Sequence, residues 1–353
     1  MKKIFAIVLA LMLAAAACAA VAEDAQKPYI TMLAKGFQHA YWQTVKAGGE
    51  AAAEKYGVRI NFDGPSSETE IDEQVNKLKE EIAKKPAVIT FAASSADAVK
   101  TELQECLEQK IPVIAFDNSI PGAPEGSVLA TVATNNEKAA AIAADKLFEN
   151  PKFKEAFDAA TPDKPVVIGV ISQDAVSGTH VARVTGFVNE MVKLCSAVKP
   201  VSVEGHDIWN KPADKAPVII HIQISATSQA SDVANASQAV LNKDNLKAVF
   251  LCNEGAVTGF LAATADGSDL APGAAHDGVI VVGFDSGAPQ KNAVKKGWFM
   301  GSVSQDPYTT GYKTIELAAK VIKGEKVEDV EVPAKWYDAS NMDSDEIKPL
   351  LYD

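Results

Sequence analysis

Cysteine is scarce in this sequence. There are four, Cys18, Cys106, Cys195 and Cys252, and they are far apart with no C-x-x-C spacing. Once Cys18 is set aside with the N-terminal segment, an odd number remains, so neither a disulfide framework nor a thiolate metal centre is expected. Cys106 falls in Leu103-x-x-Cys106-Leu107, an apolar stripe at helical spacing, and the three read as small core hydrophobes. Histidine is also sparse, with His39, His180, His206, His221 and His276 showing no metal-ligand spacing. His221 lies in a strand-like run and reads as structural. His39, just before Tyr41-Trp42, is the one assigned to a binding cleft. Positive charge is in deficit, 34 Lys+Arg against 46 Asp+Glu for a net −12, which disfavours a nucleic-acid partner. Enzyme signatures are missing too: no G-x-x-x-x-G-K-[ST], H-E-x-x-H or G-x-S-x-G, and no Gly-rich dinucleotide loop after the first strand. The expectation is a non-enzyme with no cofactor, no metal and no catalytic residues.

What is present begins at the N-terminus. Met1-Lys2-Lys3 is a short positive region, and Ile4 to Ala17 is an uncharged apolar run too short to span a bilayer comfortably. Ala20-Val21-Ala22 then offers an A-x-A cleavage site before Glu23-Asp24. Residues 1–22 read as a secretory signal peptide, which places the rest in the periplasm or at the extracytoplasmic face of the membrane. A lipid anchor on Cys18 is the alternative. However, Ala15-Ala16-Ala17-Cys18 lacks the large aliphatic residue usual three positions earlier, and cleavage after Ala22 is favoured. The 353 residues, 47% hydrophobic and 23% charged, suit a soluble chain of two domains.

Past the leader, β-rich apolar runs alternate with amphipathic segments. Strands are expected at Tyr29 to Ala34, Val58 to Phe62, Ala87 to Phe91 and Pro112 to Phe116. Between them come helices over Trp42 to Tyr56, around Ile71, Val75, Leu78 and Ile82, and over Asp97 to Gln109. The pattern restarts with strands at Val166 to Ile171, Val218 to Ile224, Ala248 to Cys252, Val279 to Phe284 and Trp298 to Val303. Helices over Val181 to Leu194 and Asp232 to Leu241 fall between them. Such alternation implies parallel sheets covered by helices on both faces, here in two similar lobes. The stretches 150–164 and 205–217 read as irregular insertions.

In parallel α/β sheets ligands bind at the carboxyl ends of strands. Those ends carry Lys35, Asp117-Asn118, Ser172-Gln173-Asp174, Asn253-Glu254, Asp285 and Gln305-Asp306, with Tyr41-Trp42, Phe116 and Phe284 beside them. That mixture suits a sugar, whose ring has apolar C–H faces for aromatic cover and a rim of hydroxyls for paired donors and acceptors. Buried polar groups left unpaired cost about 1–3 kcal/mol each, which penalises the wrong epimer. Taken singly, Asp and Asn are also common turn and cap residues.

Several segments together resemble a known family. They are His39-Ala40-Tyr41-Trp42, Val113-Ile114-Ala115-Phe116-Asp117-Asn118, Val249-Phe250-Leu251-Cys252-Asn253-Glu254, Val281-Val282-Gly283-Phe284-Asp285 and Ser304-Gln305-Asp306-Pro307-Tyr308. In this order the chain resembles the ribose-binding-protein-like sugar binders of bacterial ABC transporters. The resemblance implies the type I periplasmic binding protein fold: two Rossmann-like, three-layer α/β lobes joined by a three-crossing hinge. It divides the chain into 27–134 plus 306–334 and 135–305 plus 335–353, with crossings at Thr134-Asn135, Gln305-Asp306 and near Ala334-Lys335. By the same resemblance Tyr41 and Trp42 sandwich the sugar. Asp117, Arg183, Asn253, Asp285 and Gln305 form its polar ring, Asn118 takes the slot where ribose binders have Arg, and Phe284 is a wall. Lys35, His39, Thr134 and Asp174 complete the ligand-binding set.

The chain departs from ribose binders at Ala92-Ala93, at Lys35 and His39, and at 226–231, which lacks their aromatic. Two extra basic groups suit an acidic or strongly polar sugar. They also resemble binders of a furanose-type autoinducer, which use a Lys at the first strand exit. The implied partners are a small sugar and ABC permease transmembrane subunits, with a chemoreceptor or sensor kinase as the alternative output, and the implied state is a monomer. Less favoured alternatives are a LacI-type regulator's effector domain and an exported sugar enzyme using Asp117 and Asp285 as acid and base.

Overall fold

The strand-like runs assemble into two sheets, each mostly within one of two units, in a computed structural model that describes residues 26–37 and 40–352. The expected leader, Cys18 and His39 lie outside the described residues. The first unit comprises the described residues up to Phe37, Val45–Val132 and Tyr308–Val330. The second comprises Ala40 to Thr44, Ala133–Pro307 and Glu331 onward.

In the first unit β1 (Tyr29–Leu33) leads to α1 (Ala40–Tyr56), β2 (Arg59–Asp63), α2 (Ile71–Ala83), β3 (Val88–Phe91), α3 (Lys100–Gln109), β4 (Val113–Asp117) and β5 (Val128–Thr134). With β12 (Val330–Val332) the sheet order is β12-β5-β4-β3-β1-β2. β1 is parallel to both β2 and β3, and β3 to β4. Every residue of β3 and β4 is buried, as strands covered on both faces must be. Leu33, Phe91 and Ala115 of the strands pack with Leu78 and Ile82 of α2 and Leu103 of α3. α1 stops where Gly57 turns to φ +69°, a conformation that glycine adopts without a Cβ clash.

The second unit starts with α4 (Asn136–Glu149) and α5 (Pro151–Ala159). It continues with β6 (Val166–Ser172), α6 (Gly178–Ser196), β7 (Val201–Glu204), β8 (Val218–Ile224), α7 (Ala230–Leu241), β9 (Leu246–Leu251), α8 (Glu254–Ala263), β10 (Ile280–Phe284), α9 (Ala288–Lys295) and β11 (Gly301–Ser304). The chain then returns to the first unit for α10 (Pro307–Ile322), and β13 (Lys335–Tyr337) closes the second unit's sheet, of order β13-β11-β10-β9-β6-β8-β7 and parallel except at the β11–β13 edge. Without its edge strand β7 this order matches that of the first unit position for position. β1 corresponds to β6, and β4 to β10.

The expected insertion at 150–164 is largely helix. Asn150 caps α5 by accepting hydrogen bonds from the Lys152 and Phe153 N–H groups, and Pro151 takes the first helical position, where its missing N–H costs nothing. Phe153 and Phe157, one turn apart, are the buried face. The 205–217 stretch has no regular element but is anchored. Lys211 bridges to Val203, and the buried Trp209 indole donates to Thr185 Oγ1 on α6 at 2.9 Å. Cys106, Cys195 and Cys252 are buried free thiols, and burial pushes the pKa of each up to about 12.

One buried carboxylate ties α2 to the sheet. Glu81, 2% exposed, accepts from Tyr29 Oη (2.7 Å), Thr31 Oγ1 (2.5 Å), Asn61 Nδ2 (3.2 Å) and Lys84 Nζ (2.7 Å). Burial raises its pKa, but the Lys84, Thr31 and Tyr29 hydrogen bonds outweigh burial and hold the carboxyl below its ordinary value. A lowered acid contributes stability above its unfolded pKa, and that contribution is lost as pH falls through the folded one. Glu81→Gln is therefore expected to lower the urea stability by about 1–3 kcal/mol at pH 7. Its deficit relative to wild type should shrink once the pH is below the carboxylate range, and an equal deficit at both pH values would refute the charged role.

Candidate functional site

The two strand ends that correspond, those of β4 and β10, end in the same dipeptide. Phe116-Asp117 closes β4 and Phe284-Asp285 closes β10, and both aspartates are left-handed, φ +67° and +76°. Non-glycine residues rarely adopt this backbone, and Asp is among those that tolerate it. The turn sends the chain off the strand while the carboxylate stays at the sheet's C-terminal end, where α/β ligands bind.

In the first unit Asp117 Oδ2 stands 2.6 Å from Lys35 Nζ, and both residues are about as buried as the core, at 5% and 3% exposure. Lys35 follows β1, and β3 lies between β1 and β4. The exit of β3 is Ala92-Ala93, whose side chains stop at Cβ. Asn118 donates from Nδ2 to the Ala93 and Ser119 carbonyls, and its Oδ1 is buried without a partner. Gln74 of α2, fully buried, donates to the Ala34 and Ala92 carbonyls and accepts from Ser94 N–H, cross-linking the exits of β1 and β3.

In the second unit Asp285 Oδ2 accepts from Arg183 Nη1 and from the Glu254 N–H, each at 3.2 Å, while Oδ1 accepts from Gln305 Nε2 at 2.9 Å. Arg183, 4% exposed, also donates from Nε to Asn136 Oδ1 (2.8 Å) and from Nη1 to the Cys252 carbonyl (3.1 Å). Its guanidinium lies 3.9 Å from the centre of the Phe284 ring, a cation–π contact. Asn253 caps α8 through Oδ1, accepting from Ala256 N–H at 3.1 Å, and donates from Nδ2 to Gln173 Oε1 at 2.8 Å. Gln173 in turn donates to the Ser228 carbonyl.

The residues expected from the sequence thus fall into groups. Lys35, Asp117 and Asn118 meet in the first unit. Arg183, Phe284, Asp285 and Gln305 meet in the second, with Asn253 beside them. Thr134 is buried at the end of β5, its Oγ1 without a partner. Tyr41 and Trp42 occupy the first turn of α1, packed edge to face at 4.9 Å, and Tyr41 meets Tyr352 in the same way at 5.8 Å. Asp174 serves its own loop. Its Oδ1 accepts from the Val176 and Ser177 N–H groups, and its Oδ2 pairs with His180 Nδ1 at 2.7 Å. Burial opposes ionisation there, but the His180 and backbone contacts hold the Asp174 carboxyl well below the usual range. The two basic groups read as surplus are not both so, because Lys35 is already paired with Asp117. The strand-end reading includes Gln173 without a ligand role and misses Asn136, Gln74 and Tyr352. Each acts through a partner distant in sequence. Among the described residues no group of three His, Cys, Asp or Glu is placed to hold a metal ion.

A sheet pair of this order, with carboxylates at the corresponding strand exits, defines a binding protein of the type I periplasmic fold. Residues 30–326 match the family model described as "Periplasmic binding protein domain", and the chain belongs to that family. The ribose import binding protein of Salmonella typhimurium is 27% identical over 331 residues, 93% of this chain and 95% of its own. A Brachyspira murdochii structure titled "ABC transporter, LacI family transcriptional regulator" is 38% identical with a TM-score of 0.80, covering 93% of this chain and 99% of that one. An ABC transporter solute-binding protein from Agrobacterium vitis, solved with bound D-fucose, is 26% identical with a TM-score of 0.73, covering 92% and 100%.

The Lys35–Asp117 pair yields a direct test. Removing one partner of a buried pair leaves an uncompensated charge, at a cost of about 3–5 kcal/mol. Lys35→Met should lose stability of that order in urea melts, and adding Asp117→Asn should restore most of it. A double variant no more stable than Lys35→Met would mean that the two charges do not depend on each other.

Proposed function

We propose that this chain is an exported solute-binding protein that holds one uncharged monosaccharide, without converting it, and delivers it to the membrane subunits of an ABC importer. The observation that carries this reading is the repeated Phe-Asp strand exit, with its carboxylate held by the protein's own buried cation in each unit. A carboxylate fixed in this way can accept sugar hydroxyls without further desolvation. Phe284, buried beneath Arg183, backs the guanidinium that would meet the sugar. Two of the site's carboxylates are already matched by cations of the protein: Asp117 by Lys35, Asp285 by Arg183. A charged ligand would find both of these cations and both aspartates already engaged, and bringing its charge into a desolvated site is costly.

The relatives support the same class: one is named for ribose import and another was solved with D-fucose. Side chains of both units would contact the bound sugar, so its differential affinity favours a closed arrangement over an open one. The permease would then read the closed form. A His39 contact and the Tyr41-Trp42 sandwich belong to the same proposal.

Calorimetry with D-ribose, D-fucose and a panel of pentoses, hexoses, amino sugars and sugar acids tests the reading. Neutral sugars should bind, with charged analogues of the best one weaker by about tenfold or more, as an unpaired charge demands. Asp285→Ala should abolish binding while circular dichroism stays unchanged. Binding should also reduce the radius of gyration in solution scattering. Preference for a sugar acid, or turnover of a bound sugar, would overturn the proposal.

A further inference from the structure

The arginine of the second unit does not hold its own position. Its Nε–H points to Asn136 Oδ1 at 2.8 Å, and Asn136, 7% exposed, is the first residue of α4, immediately after Asn135, which caps that helix. The other end of the same amide donates from Nδ2 to the carbonyl of Thr134, the last residue of β5, at 3.1 Å. β5 is the strand along which the chain leaves the first unit for the second, the change falling after Val132. One amide therefore joins the backbone of that strand to the guanidinium. The joint has little slack. A Cβ on Gly186, one helical turn past Arg183, would lie 2.2 Å from the Glu137 carbonyl oxygen, so α6 and α4 touch backbone to backbone there. Beside the joint, the Thr134 hydroxyl is buried with no partner.

We infer that Asn136 is a positioning residue for sugar binding: it fixes the plane of the Arg183 guanidinium and links that plane to the end of β5. The geometry fits the role. Without an acceptor at Nε the arginine keeps Nη1 on Asp285 and the Cys252 carbonyl but can rotate about that edge, over the Phe284 ring. An amide is the side chain that can accept from Arg183 and donate to Thr134 at once. The inference rests on the sugar-binding reading of Arg183.

The test compares Asn136→Ala, Asn136→Asp and Arg183→Lys, alone and combined, by calorimetry with D-ribose, D-fucose and D-arabinose. Thermal melts serve as the folding control. Asn136→Ala should weaken the best of these sugars about ten- to hundred-fold, the range for a lost hydrogen bond to a charged group. Asn136→Asp, which keeps the acceptor for Arg183 but loses the donor to Thr134, should recover part of that affinity. In an Arg183→Lys background, which has no Nε, Asn136→Ala should have little further effect. A loss that Asn136→Asp does not rescue even in part, or one that persists undiminished in the Arg183→Lys background, would mean a structural role and overturn the inference.

If Arg183→Lys alone leaves affinity unchanged, the sugar-binding reading of Arg183 fails and this inference fails with it. A measurement free of any sugar separates the two failures. Hydrogen exchange at Arg183 Nε, followed by NMR, should be about tenfold faster or more in Asn136→Ala, as expected when a buried hydrogen bond is lost. An unchanged rate would overturn the positioning role whatever the sugar data show.

Discussion

The second unit's polar network depends on one ion pair, Arg183 with Asp285, and on the backbone that makes it possible. Asp285 stands in the left-handed region at the end of β10, so its carboxylate meets Arg183, Gln305 and the start of α8 together. The first unit solves the same problem with the same dipeptide and a different cation, Lys35 from the end of β1. A buried carboxylate needs a countercharge or several donors to remain ionised, and here both aspartates have them within the protein. That constraint bears on the residues around each aspartate: a long cation, a small-residue exit at β3, and a helix start whose N–H points at Asp285.

The match between the two strand orders gives this arrangement its meaning. If β1 corresponds to β6 and β4 to β10, the carboxylates occupy equivalent places in two copies of one design. The cations do not correspond: one leaves a strand and the other a helix. The copies share the acceptor and differ in how it is neutralised. The guanidinium is planar and stacks on Phe284, whereas the ammonium of Lys35 is a compact point charge.

Much of the fold is legible in the sequence because long apolar runs report it directly. β3, β4, β6 and β9 are nearly all buried, and their Val, Ile and Phe runs stand out without any knowledge of their partners. Elements with weak signals are not legible in the same way. β5 alternates buried and partly exposed residues and contains two alanines, α4 is mostly alanine on its buried face, and β7 is only four residues long. The helix after Asn150 is hidden because Asn-Pro is a turn signal as well as a cap followed by a first helical residue. The site is legible at its strand ends, where position alone nominates Asp117, Asn253 and Asp285. It is not legible in its supports. Asn136 reaches Arg183 across 47 positions and Gln173 reaches Asn253 across 80, and no local pattern marks either.

The buried thiols have a consequence for how such a chain must mature. Cys106, Cys195 and Cys252 are each sealed in the interior and held almost wholly protonated at neutral pH, so in the folded state none of the three is an effective nucleophile for oxidation or exchange. The unfolded chain has no such protection. Its sulfhydryls titrate normally and can pair wrongly. For these three sulfurs, redox conditions therefore bear on the journey to the native state: once packing is complete, they are indifferent to whether their surroundings are reducing or oxidising.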